Sequence, residues 1–215
     1  MSELEAALER FNRKERYWLL REALGRQPLS EEFRKKLAGV FGSNAGVAVP
    51  ENAWWAIDYH ADWLFGALST LRYGESFPAH PNVPVQVTGT QEDFDLLIAF
   101  ERTLIIVEAK AGQHWGNRQV KSKLARLTAL VDYNSRLPDP LRLYFVLASP
   151  RQPSKLDASS CPPVLRTRDG GVHWIQMGYG SSGIKHLAVS RCDQDGKPDS
   201  TADRWRVREV YRRER

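Results

Sequence analysis

The stretch DFDLLIAFERTLIIVEAKAG, residues 93 to 112, decides how this chain is read. Two aliphatic runs, Leu96 to Phe100 and Leu104 to Val107, flank the pair Glu101-Arg102, and both have the composition of buried strands. With Glu101-Arg102 as the loop of an antiparallel hairpin, Phe100 faces Thr103 and paired residue numbers sum to 203. That register sets Asp95 opposite Glu108. Strand alternation places Lys110 on the same face as Glu108, one pleat along, with Ala109 turned away.

Two carboxylates directly opposed across a ladder have side-chain roots roughly 4.5–5.5 Å apart and repel. A divalent cation neutralises them: two carboxylate oxygens, a backbone carbonyl and waters form the oxygen shell that Mg²⁺ prefers. Such an ion lowers the pKa of a bound water and stabilises charge on a phosphate oxygen, while an amine at Lys110 can orient the water or offset charge. Phosphodiester hydrolysis is the reaction this group suits.

These residues resemble the signature of the PD-(D/E)xK nuclease superfamily, the restriction-endonuclease-like fold: an acid, Asp95, opening the strand DLLIAF, then IIVEAK, with Glu108 thirteen positions after Asp95. The resemblance covers roughly residues 83–135. It implies Mg²⁺ (or Mn²⁺) ligands at Asp95 and Glu108, with the Ala109 backbone carbonyl completing the protein ligands and Lys110 as the catalytic lysine. It also implies a Gln or Lys on the following helix, where Gln119 is the matching position and Lys121 and Lys123 compete with it. A further acid on a helix before the sheet would be Asp58 or Asp62. The sequence departs from the pattern in having no proline before the first acid, which reads EDFD; Asp93 lies on the same pleat face and competes with Asp95. Asp95 is preferred because the aliphatic run starts immediately after it and because the register sets Asp93 opposite Lys110.

Outward from the hairpin, residues 3–40 read as helical, with Leu4, Leu8 and Phe11 at helical spacing and a second helix start at Ser30-Glu31-Glu32. After Pro50, Trp54, Ile57, Ala61, Leu64, Leu68 and Leu71 make one apolar stripe and predict a single long helix carrying Asp58 and Asp62 one turn apart. VPVQVTGTQEDFDLLIAF turns to strand composition. Asn117 to Asn134 returns to helical period, with Val120, Leu124, Leu127 and Val131 inward and Arg118, Lys121, Lys123 and Arg126 on other faces. LRLYFVLAS is another buried strand, and VHWIQM, IKHLAVSRC and RWRVREVY are strands beyond Pro150 that extend the sheet. In the last of these, Arg204, Arg206 and Arg208 share one face, suited to a phosphate backbone or to guarding a sheet edge, and Trp205 and Val207 the other.

The totals permit this reading without dictating it. The 215 residues carry 42% hydrophobic and 27% charged side chains, a formal charge of +5 and a pI near 9.3, a basic excess that suits a polyanionic partner. The N-terminus has no signal-peptide pattern and no run of about 18 apolar residues occurs, so a cytoplasmic protein with no membrane partner is expected. Cys161 and Cys192 form no CxxC pair and support neither a disulfide framework nor a cysteine zinc site. GYGSSG, residues 178–183, spells a dinucleotide fingerprint but lacks the helix and acid that should follow it. The five histidines have no metal-ligand spacing, and no G-x-S-x-G elbow appears.

The sequence therefore predicts an α/β fold of restriction-endonuclease-like type, a mixed sheet flanked by helices. An N-terminal helical region spans 1–45, a nuclease-like core 46–150, and a β-rich extension of the same domain 151–215. The expected function is Mg²⁺-dependent hydrolysis of nucleic acid, DNA rather than RNA, as an endonuclease or exonuclease. Binding is expected at Arg118, Lys121, Lys123, Arg126, Arg204, Arg206 and Arg208, and a homodimer is expected if both strands are cut. The alternative is a nucleic-acid-binding or assembly module that keeps this fold and does not cut.

Overall fold

The structure, a computed structural model, describes residues 1–12, 14–41, 47–74, 79, 82–83, 85–90, 92–110, 115, 118–178 and 185–211, with backbone alone at 118–121, 185–186 and 210–211. Three helices open the chain: α1 (Glu3–Phe11), α2 (Glu15–Leu24) and α3 (Glu31–Phe41). Two of the starts are written locally. Ser2 and Glu5 form a reciprocal capping box on α1, and the Ser30 hydroxyl accepts from the Phe33 N–H to open α3.

The expected single helix after Pro50 is instead β1 (Trp54–His60) followed at once by α4 (Ala61–Tyr73). Trp-Trp-Ala-Ile-Asp-Tyr-His is rich in aromatic residues that fit a pleated surface, and pairing with the next strand outweighs the helical spacing of Trp54, Ile57 and Ala61. His60 marks the junction, its Nδ1 accepting from the Asp62 N–H. Asp58 and Asp62 are thus not one turn apart on a helix; one lies on a strand, the other in the first turn of α4.

Strands β2 (Asp93–Phe100) and β3 (Thr103–Ala109) form the hairpin, and the observed pairs Leu96↔Val107 through Phe100↔Thr103 have the expected register. Glu101 takes a left-handed φ of 48° to close the loop. The strand begins later than the composition of residues 83–100 suggested. Val85 and Val87 are exposed, and residues 85–90 are looped about Asn82 and Asp62. Then come α5 (Arg118–Asn134), β4 (Arg142–Ser149) and β5 (His173–Gln176).

These strands make one five-stranded mixed sheet in the order β1-β2-β3-β4-β5, antiparallel across its first three strands and parallel from β3 to β5. Helices cover both faces. On one, Leu97 and Ala99 of β2 and Leu104 and Ile106 of β3 meet Leu4 and Leu8 of α1, Leu64 and Leu68 of α4, and Leu124 and Leu127 of α5. On the other, Ile98, Phe100, Ile105 and Val107 meet Leu37 and Phe41 of α3 with Val47 and Val49. A central strand so covered must be apolar throughout, which explains the aliphatic run of β3. The Tyr59 hydroxyl donates to the Leu8 carbonyl at 2.8 Å and ties α1 to the sheet.

Of the strands expected to extend the sheet, β5 does so, but β6 (Lys185–Cys192) and β7 (Arg204–Tyr211) pair with each other as a separate two-stranded sheet. Residues 179–184, with most of the glycine-rich GYGSSG, lie outside the described residues. Among the described residues no helix is long and apolar enough to cross a membrane.

Candidate active site

The site is built where β2 and β3 leave the buried part of the sheet on the face covered by α5. Leu97 and Ala99, and Leu104 and Ile106, point into the core there. Continuing each row by two residues brings Asp95 and Glu108 to the same face. Regular pairing stops at Leu96↔Val107. Beyond it the Asp95 Oδ2 accepts from the Ala109 N–H at 2.7 Å, so a side chain replaces the ladder bond and draws the first acid to β3.

Glu108 is only 5% exposed. Its Oε2 accepts from the Lys123 ammonium of α5, itself buried, and its Oε1 is buried with no hydrogen-bond partner. Burial pushes the Glu108 carboxyl up to about 8; Lys123 and the backbone N–H of Asp95 pull it down, and the neighbouring Asp95 charge pushes it further up. The two acids therefore repel each other electrostatically, as the register required.

Lys110 follows with its backbone N–H donating to the Ala148 carbonyl of β4 at 2.8 Å, and its ammonium lies 5.7 Å from the ring centre of the buried Trp115. An amine on an aromatic face is held in place while keeping its charge. Asp93, the competitor of Asp95, is held elsewhere: its Oδ2 accepts from Lys14 at 2.6 Å, its backbone pairs with His60 on β1, and the β2–β3 pairing ends at Leu96↔Val107, short of Lys110.

Neither further acid joins the pair. Asp62 accepts from the backbone N–H groups of Thr88 and Gly89 and from Arg126. Burial opposes ionisation there, but those donors together hold its carboxyl below the usual range. It anchors the loop before β2. Asp58 pairs with Arg16 at 3.0 Å. The β1–β2 register runs Ile57↔Leu96 and Tyr59↔Phe94, which leaves Asp58 level with Asp95, but Asp58 has a left-handed φ of 50° and forms no pair there. Among the described residues no three His, Cys, Asp or Glu side chains stand close enough to share a metal ion.

Two of the cations expected to face nucleic acid are turned inward instead. Lys123 is on Glu108, and Arg126 bonds Asp62 and the Gln86 carbonyl and lies 3.8 Å from Glu92. Both are under 8% exposed, so neither presents a surface charge. Their positions carried a signal: Lys123 stands three residues after Val120 and four before Leu127, on the margin of the inward stripe. The side chains of Arg118, Gln119 and Lys121 lie outside the described residues, while Arg204, Arg206 and Arg208 are exposed on β7.

Chemically, the arrangement offers a carboxylate pair with one buried oxygen left over, an amine two residues along, and a second amine beneath. No family model, no curated protein and no solved structure matches the chain.

Proposed function

We propose that this protein hydrolyses phosphodiester bonds in nucleic acid, DNA by preference, with a divalent metal ion at Asp95 and Glu108, on a fold of restriction-endonuclease-like type. The observation that carries the proposal is the Glu108 Oε1, buried without a partner beside a second carboxylate. An unpaired buried acceptor is costly, and next to a like charge it is costlier still; a hard cation would remove both penalties. Two carboxylate oxygens and the Ala109 carbonyl fit Mg²⁺, which keeps several waters and does not need an all-protein cage. When bound, the ion would supply Lewis acidity to a phosphate oxygen and a more acidic water.

The chain's own residues then have distinct roles. Asp95 and Glu108 hold charge at fixed positions, Asp95 braced by the Ala109 N–H and Glu108 by Lys123. Lys110, resting on Trp115, orients the attacking water and offsets charge on the scissile phosphate. Gln119 is proposed to assist from α5. The mixed sheet flanked by helices is compatible with this fold type.

One observation favours the second reading, a nucleic-acid-binding module that does not cut: Lys123 already neutralises part of the Glu108 charge. Titration calorimetry with Mn²⁺ separates the two. Under the proposal the protein binds Mn²⁺ and Glu108→Gln abolishes that binding; equal heats from both proteins would refute it, and metal-indifferent, salt-sensitive DNA binding would support the second reading.

A further inference from the structure

The β6–β7 hairpin is a ribbon whose two faces differ sharply in chemistry. Its register sets Arg204 opposite Cys192, Arg206 opposite Ser190 and Arg208 opposite Ala188. Alternation puts these six on one face, so a row of three guanidinium groups on β7 stands beside a row of small side chains on β6. All three arginines are exposed, and no described residue accepts a hydrogen bond or ion pair from them. The connecting loop carries four acids, of which Asp193 accepts from the backbone at Asp195 and Lys197 and Asp199 from Thr201. The opposite face carries Leu187, Val189, Trp205 and Val207, each at least half exposed, with the exposed Arg191 and Glu209 at its two ends.

Spacing and charge together identify what the arginine face fits. Alternate residues of a strand are about 6.6–6.8 Å apart, so the three guanidinium groups form a straight row that can follow a polyanionic backbone. Guanidinium groups hydrogen-bond phosphate through a planar fork; of the small β6 residues beside them, Cys192 is 4% exposed and the Ser190 hydroxyl is buried, so the arginines are what this face presents. A lipid surface fits less well. The acid Glu209 stands opposite Leu187 among the apolar residues that would enter it, and the row of three arginines lies on the other face.

We infer that the β6–β7 hairpin is a docking arm for the sugar-phosphate backbone of nucleic acid, gripping it through Arg204, Arg206 and Arg208 without reading sequence. This rests on the proposal that nucleic acid is the substrate, and the test is arranged so that the two can fail separately. Binding of a short DNA duplex to the full chain is measured by fluorescence anisotropy in EDTA, where cleavage plays no part, at salt concentrations from about 50 to 200 mM. The triple variant Arg204→Gln, Arg206→Gln, Arg208→Gln is expected to weaken binding and to make the salt slope shallower by about three units, roughly one per lost phosphate contact. Lys35→Gln, which removes an exposed cation on α3 away from both sites, is expected to bind as the parent does. An unchanged affinity and slope in the triple variant would overturn the docking arm. So would DNA binding that is absent from the parent protein while vesicles of phosphatidylcholine with one-third phosphatidylserine are bound and are released by Trp205→Ser. Loss of nicking activity in Glu108→Gln bears on the catalytic proposal alone.

Discussion

Lys123→Met should destabilise the metal-free protein by about 3–5 kcal/mol above about pH 8, and by close to nothing near about pH 5. Glu108 and Lys123 are a contacting pair, both buried. Deleting the cation leaves an uncompensated buried carboxylate at high pH. At low pH the same carboxyl carries a proton, and a methionine of similar length fills the space. The sign follows from linkage: the carboxyl titrates near 4.5 when unfolded and at about 8 when folded, so the folded state binds the proton more tightly. Stability therefore falls as pH rises through that window, and removing Lys123 moves the folded value higher and widens it. Urea unfolding of parent and variant across this pH range checks the prediction. A difference that does not change with pH would show that the ion pair is not what Lys123 contributes.

The other large effect falls on activity. Under the proposed function, Asp95→Ala and Glu108→Ala should each lower Mn²⁺-dependent nicking of supercoiled plasmid by about a thousandfold or more, because each would remove a proposed metal ligand rather than tune one. Glu108→Ala also strands Lys123, so Glu108→Gln, which keeps the shape, is the paired control for folding. Lys110→Met should leave Mn²⁺ binding intact and lower nicking alone, since its ammonium packs on Trp115 and is proposed to serve the reaction rather than the ion. Nicking that survives in Asp95→Ala and Glu108→Gln, with circular dichroism showing both folded, would rule out this pair as the catalytic site.

The hairpin was legible because everything that specifies it is local. The aliphatic runs fix two strands, the pair Glu101-Arg102 fixes the register, and the register fixes which acids meet. Helix α5 and strand β4 were readable for the same reason, period and composition agreeing. Strand β1 was not. Trp54, Ile57 and Ala61 repeat at helical spacing, and only pairing with β2, from Trp54↔Ala99 to His60↔Asp93, decides the conflict. That partner lies more than thirty residues away, where periodicity cannot see it. The same distance hid the inward turn of Lys123 and Arg126. A basic helix reads as a surface, and only the arrival of Glu108 and Asp62 beneath it makes burial of those charges affordable. Lys14 on Asp93 is a third case, joining residues 79 positions apart.

A crystal of the protein soaked in MnCl₂, with data collected at the manganese edge, addresses the carboxylate pair directly. The account predicts an anomalous peak in contact with Asp95 and the Oε1 of Glu108. A fully ordered site without that peak, Glu108 still held by Lys123 and the ion bound elsewhere or not at all, would contradict it.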